Sequence, residues 1–253
     1  MRTLTIVLVT CLLMTFQIGS TAGAESTVPS KEVLRVFFIG NSHTGCNNLM
    51  RVIEKLAIKN EAGIDIVTAG HLVGGCTLER HWNERRALTK MMAGKWDVVV
   101  LQENGQGPMA YPDKMRQYAR LFDEKIKQAG AKNVLFMTAA YQDRPDTTKA
   151  IVKAHLEISK ELDADVAPVG IAFEKALTKR PDLTLHNLPD TIHANQRGTY
   201  LTACVIWATL TGEKPYGLSG DGLAELTDKE RVFLQEMAWE SIIECKAKRR
   251  IAE

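Results

Sequence analysis

The stretch that decides the fold is Val33-Leu34-Arg35-Val36-Phe37-Phe38-Ile39-Gly40-Asn41-Ser42-His43-Thr44. Its first seven residues (VLRVFFI) are rich in β-branched and aromatic side chains, the composition of a buried strand. Gly40 permits a sharp turn. Leu49 to Ala62 then carries apolar residues at helical spacing and stops at Gly63. A strand that passes through a tight turn into a helix is the building unit of a parallel α/β sheet.

The rest of the chain repeats that alternation. Strands are expected at 64–69, 97–102, 134–139 and 164–169, and helices at 78–92, 115–129, 147–162, 198–210 and 228–248. Thr227-Asp228-Lys229-Glu230 reads as a capping box that opens the last helix. With its first strand the chain has five strands, so a parallel sheet covered on both faces by helices is expected, in a single domain over 33–250. No internal repeat or low-complexity tract interrupts it. Right-handed crossovers put ligand chemistry at the carboxyl ends of such strands.

Three motifs follow strand ends. Ser42 stands just past the Gly40 turn, where a hydroxyl is exposed at the top of a sheet and its own N–H can stabilise an oxyanion. Alone, such a serine is more often a helix cap. Asp190 and His193 lie three residues apart in Pro189-Asp190-Thr191-Ile192-His193. A carboxylate there can accept the Nδ1–H and leave Nε2 to take a proton from serine. The loops holding Gly74-Gly75-Cys76 and Gln102-Glu103-Asn104-Gly105 supply backbone and side-chain donors, as an oxyanion hole requires.

In order and placement these motifs resemble the SGNH (GDSL-like) serine hydrolase superfamily, whose blocks appear here as Gly40-Asn41-Ser42, Gly75, Asn104 and Asp190…His193. The resemblance spans Val33 to about Gly212. The first block has Gly-Asn-Ser-His where many members have Gly-Asp-Ser-Leu, and the third has Gln-Glu-Asn-Gly, which leaves Asn104 or Gln102 as its donor. What the resemblance implies is a three-layer αβα, flavodoxin-like fold and ester hydrolysis through an acyl-enzyme, with no metal or other cofactor. Ser42 would be the nucleophile, His193 the base and Asp190 its orienting carboxylate. Ser42, Gly75 and Asn104 would form the oxyanion hole. His43 and Glu103 are candidate substrate contacts, although Glu103 could instead hold a loop. His71 and His81, flanking the glycine loop, could each contact substrate, but plain polar or packing roles are favoured for both. The four tryptophans read as core rather than a sugar platform. Two other classes stay open: a non-catalytic carbohydrate-binding module on the same fold, and a lipase or phospholipase. The latter is disfavoured by the lack of an apolar lid insertion and by aromatics of only 6%.

Composition narrows the partners. With 45% hydrophobic and 25% charged residues the chain is ordinary globular material. Its +2 formal charge, from 32 basic and 30 acidic residues, gives no reason to invoke nucleic acid or an anionic membrane. The first two dozen residues differ in kind: Met1-Arg2, an apolar run from Leu4 to Phe16, then Ala22-Gly23-Ala24. They read as a cleavable signal peptide over 1–24, followed by a mobile leader over 25–32, for a secreted or periplasmic protein. The run is shorter than the ~20 residues of a stable membrane span. A lipoprotein reading through Cys11 is disfavoured by the bulk of Thr10. Cys46, Cys76, Cys204 and Cys245 remain after the signal. Neither CxxC nor HExxH occurs to suggest a metal site. Cys46 and Cys76 would share one rim of the expected fold, so a disulfide between them and two free thiols are both open.

Overall fold

Successive side chains of a strand point to opposite faces, so a strand apolar at every position needs cover on both. Strand β1 (Glu32–Gly40) has it: Val36 and Phe38 enter one core, Phe37 and Ile39 the other, and all four are buried. Each such side chain stabilises the fold by roughly 1.5–3 kcal/mol relative to exposure. The structure, a computed structural model, describes residues 32–58, 63–220, 223 and 226–251. The expected signal peptide and the leader up to residue 31 lie outside the described residues, and β1 already begins at Glu32.

Four parallel strands join it: β2 (Ile64–Leu72), β3 (Val98–Leu101), β4 (Lys132–Phe136) and β5 (Asp165–Ala167). The order is β2-β1-β3-β4-β5, the flavodoxin-like arrangement expected. Ile39 pairs with Leu101 on one side of β1, and Gly40 pairs with Leu72 on the other. The chain adds β2 to one side of β1 and then crosses to build β3 on the other. The loops leaving β1 and β3 therefore part and open a crevice between them.

The helices in chain order are α1 (Ser42–Gly45), α2 (Leu49–Ile58), α3 (Leu78–Glu84), α4 (Arg86–Ala93), α5 (Gly107–Ala110), α6 (Pro112–Gln128), α7 (Thr148–Leu162), α8 (Val169–Lys179), α9 (Gln196–Thr211) and α10 (Asp228–Ile251). Helices α2, α8, α9 and α10 cover the Val36–Phe38 face, and α3, α4, α6 and α7 the Phe37–Ile39 face. Leu49, Val52, Ile53 and Leu56 form the stripe that lays α2 on its face. The capping box is present. Thr227 Oγ1 accepts the Glu230 N–H at 3.2 Å, and Glu230 Oε2 accepts the Thr227 N–H at 2.9 Å.

Two expectations need correction. The helix expected over 78–92 is two helices, broken at Arg85 in the left-handed region (φ 63°). Apolar spacing runs on through both, so periodicity alone hides the break. Helix α8 follows directly on a strand shorter than expected. Its first five residues, Val169 to Phe173, are all buried and read on from the strand as one apolar run, while the polar face, with Glu174, Thr178 and Lys179 exposed, begins only after them.

Helix α9 starts where the chain passes close against its own backbone. A Cβ added at Gly198 would lie 2.1 Å from the Leu185 carbonyl oxygen. Asn195 caps this helix through Oδ1, which accepts the Gly198 N–H at 3.0 Å, and its Nδ2 donates to Thr184 O at 2.9 Å. Gly198→Ala is expected to destabilise the protein by about 1–3 kcal/mol through this overlap. Urea unfolding measures it, and an unchanged midpoint would contradict so close an approach.

Candidate active site

Strand β1 delivers its chemistry through a turn held by amides. Asn41 is extended (φ −134°, ψ −150°), and its Oδ1 accepts the His43 N–H at 3.1 Å, so it caps α1 and makes Ser42 the first helical residue. Its Nδ2 donates to Cys76 O at 2.9 Å, tying the turn to the loop after β2. Behind it, the fully buried Gln102 accepts the Asn41 N–H at 2.9 Å and the Thr44 hydroxyl at 3.0 Å through one Oε1. Its Nε2 donates to Asn41 Oδ1 at 3.0 Å and to Glu103 O. On the other face His81, also buried, places its Nε2 2.8 Å from Gly40 O and packs edge-on against His71. Packing roles for His71 and His81 fit these contacts.

The second element is the loop before α9. A bridge between His186 and Ala194, with the Asn187 N–H donating to His193 O at 2.8 Å, folds it back over the sheet end. Asp190 Oδ1 accepts the Ile192 N–H at 2.9 Å and the His193 N–H at 3.0 Å. Asp190 Oδ2 lies 2.9 Å from His193 Nδ1, and His193 Nε2 lies 2.8 Å from Ser42 Oγ. Desolvation pushes the Asp190 carboxyl up. The Ile192 N–H and the side chain and N–H of His193 outweigh it and hold it at about 2. An ionised carboxylate only accepts, so Nδ1 carries the imidazole proton and Nε2 presents its lone pair to the Ser42 hydroxyl.

The third element is the pair of donor loops. Gly75 has φ +65°, a conformation that L side chains rarely adopt, in a turn closed by the Cys76 N–H donating to Val73 O at 3.0 Å. Asn104 Nδ2 donates one proton to Gly75 O at 3.0 Å and keeps a second. Among the described residues, neither the Ser42 N–H nor the Gly75 N–H is taken by a protein acceptor. Of the two donors left open after β3, Gln102 is sealed in the core with both amide atoms engaged, while Asn104 is only partly buried. Of the two roles open to Glu103, the geometry leaves the loop-holding one. It is 4% exposed, and its oxygens accept the Asn104 N–H at 2.6 Å and the Leu78 N–H at 3.3 Å.

His43 does stand at the site, its ring 5.4 Å from that of His193. Desolvation, with help from His193 and His186, lowers it to about 4, so it is a neutral imidazole at ordinary pH. The contacts of Asn41 and Gln102, and of Tyr141, which packs with His43 against Gly105, carry no signal in the sequence. Among the described residues there is no group of three or more His, Cys, Asp or Glu side chains able to hold a metal, and no helix long and apolar enough to cross a membrane.

The four cysteines 46, 76, 204 and 245 are free thiols. Cys46 turns toward Ala194 O, at 3.6 Å, and Cys76 toward Thr77 O, at 3.5 Å. The rim shared by Cys46 and Cys76 therefore carries no bridge.

No protein-family model and no curated protein matches the sequence of the chain. Solved structures do. A protein from Slackia heliotrinireducens classed with the SGNH hydrolases is 24% identical with a TM-score of 0.60, over 70% of this chain and 99% of that one. A DUF4886 family protein from Bacteroides uniformis is 18% identical with a TM-score of 0.68, over 84% and 95%. An acetyl xylan esterase is 16% identical with a TM-score of 0.56, over 69% and 98%. The chain has the SGNH hydrolase fold.

Gln102→Ala would strand the Asn41 N–H and a face of Asn41 Oδ1 in the core, at about 1–3 kcal/mol for such a buried group. Thermal unfolding is expected to show that loss. Asn104→Ala should leave the unfolding temperature nearly unchanged, and the opposite ranking would mean the two amides have been assigned to each other's places.

Proposed function

We propose that the chain is a serine esterase that hydrolyses short acyl esters through an acyl-enzyme, with Ser42 as nucleophile, His193 as base and Asp190 as its orienting carboxylate. The observation that carries this reading is the unbroken hydrogen-bonded line from Asp190 Oδ2 through His193 to Ser42 Oγ, with contacts of 2.9 and 2.8 Å. The SGNH fold and its esterase neighbours support the same class.

In the reaction, His193 Nε2 takes the Ser42 proton as Oγ attacks the ester carbonyl carbon. The Asp190 carboxylate stabilises the imidazolium that forms. The negative oxygen of the tetrahedral intermediate falls to the Ser42 N–H, the Gly75 N–H and the second Nδ2 proton of Asn104. When the C–O bond breaks, His193 returns its proton to the departing alcohol. A water then enters, gives its proton to the same Nε2, and releases the acid from Ser42 by the reverse sequence.

For the substrate class we favour an acetyl ester on a carbohydrate. Support comes from the acetyl xylan esterase among the structural neighbours. The small side chains of the donor loops, Gly74, Gly75 and Gly105, suit a short acyl group. The signal-like N-terminal segment supports action in a secreted or periplasmic setting, where such polymers are met.

Ser42→Ala should keep the fold and lose nearly all hydrolysis, by several powers of ten. A fluorophosphonate probe should label Ser42 in the wild type. An unlabelled Ser42 would instead favour a non-catalytic binding module. Asp190→Asn should lower kcat on p-nitrophenyl acetate by about 10⁴-fold, because an amide fails to fix the tautomer. Asn104→Ala should cost about 10²-fold in kcat with KM little altered. A panel of acetylated sugars ranks the substrates, and an absence of sugar turnover beside fast p-nitrophenyl acetate cleavage would reject the carbohydrate part alone.

A further inference from the structure

Glu103 takes no part in the chemistry above, yet it is a carboxylate buried at the site, 4% exposed. What binds it is backbone. Oε1 accepts the Asn104 N–H at 2.6 Å and Oε2 the Leu78 N–H at 3.3 Å. Asn104 bears the side-chain donor of the proposed oxyanion hole, and Leu78, three residues past Gly75, opens α3. One carboxylate thus grips both donor loops from below, while Asn104 Nδ2 closes the ring from above by donating to Gly75 O.

We propose that Glu103 is a positioning residue: as a carboxylate it clamps the Asn104 loop and the Gly75–Leu78 loop into one oxyanion hole, and its protonation loosens the clamp. The kinetic consequence rests on the esterase reading, whereas the clamp itself does not. A carboxylate accepts at both oxygens. The acid turns one oxygen into a donor, which then confronts a backbone N–H. Desolvation pushes Glu103 up to about 7 against the pull of the Asn104 and Leu78 N–H groups. The ionisable groups that reach it are Glu79 of α3, which also raises it, Tyr111 ahead of α6 and the Cys76 thiol. Lys114 of α6 is engaged by Glu79 at 3.0 Å. Helix α5, whose Gly107 lies against the Glu103 Cγ, carries no titratable side chain. The clamp therefore tightens as pH rises through the neutral range.

The test has a structural arm and a kinetic one. Backbone amide shifts of Leu78 and Asn104 are followed by NMR from about pH 5 to about 9. In the wild type both should move with one midpoint near 7, and in Glu103→Gln neither should. Amides fixed in the wild type, or moving equally in the variant, overturn the clamp. On p-nitrophenyl acetate, Glu103→Gln should lower kcat about tenfold or more with KM within about twofold. Its log kcat should fall in acid with one proton fewer than in the wild type. The double variant with Asn104→Ala should lose less than the product of the two single losses, since residues acting as one unit are not additive. Additive losses, or an unchanged proton count, overturn the positioning role. Should wild-type Ser42 resist both ester and fluorophosphonate, the esterase reading falls and the amide titration still decides the clamp.

Discussion

The carboxamide of Gln102 is the joint on which the upper end of the sheet depends. Strands β1 and β3 are adjacent and parallel, and their loops must part at the switch point without leaving polar backbone unsatisfied in the core. Gln102 meets both demands. Its Oε1 accepts from the Asn41 N–H and the Thr44 hydroxyl on the β1 side, and its Nε2 donates to Asn41 Oδ1 and to Glu103 O. A buried amide offers two acceptor and two donor directions, and all four are used here. An apolar residue in its place would fill the space and leave the Asn41 N–H with nowhere to go.

From that joint the site is assembled by short polar links. Asn41 reaches the β2 loop at Cys76, Asn104 reaches it at Gly75, and His81 takes up the Gly40 carbonyl. The apolar cores end just below, at Ile39 and Leu101, so the Asn41 and His81 links are buried where hydrogen bonds strengthen, while the Asn104 link lies at the exposed rim. Three loops from three strands are thereby fixed against one another. Only the loop carrying Asp190 and His193 comes from elsewhere, and it is anchored by the Gly198–Leu185 contact and the Asn195 cap at the start of α9. That division suits a site whose donors must be rigid.

Much of this was legible in the sequence, for physical reasons that also mark the limit. Doubly buried strands announce themselves by composition, so β1 and β3 were placed within a residue or two, and with them Ser42 and Asn104 at strand ends. Asp190 and His193 were legible because three residues of loop can close a carboxylate on an imidazole. Arg85 was not, because a left-handed break needs no glycine when Trp82 O is there to accept its N–H. Nor was α8, whose apolar, buried first five residues follow β5 after a single proline. Gln102 could be read as a donor only because a sequence does not say which polar residue after a strand faces inward. Glu103 presented the same ambiguity, and its burial resolves it.

Two carboxylates flank the proposed reaction centre and are driven in opposite directions, which follows from what surrounds each. Asp190 is largely exposed and receives two backbone N–H groups and an imidazole, so it stays ionised to about 2. Its contribution to stability is present above its ordinary value of 3.8 and is lost as pH falls toward 2. Glu103 also receives two backbone N–H groups, but burial outweighs them and lifts it to about 7. Its contribution therefore has the opposite sign: fully present below 4.5 and lost as pH rises through 7. The ionised form that grips both donor loops is thus the one the folded core disfavours. In that form both of its oxygens accept, one from the Asn104 N–H and one from the Leu78 N–H, which is the arrangement the proposed clamp requires.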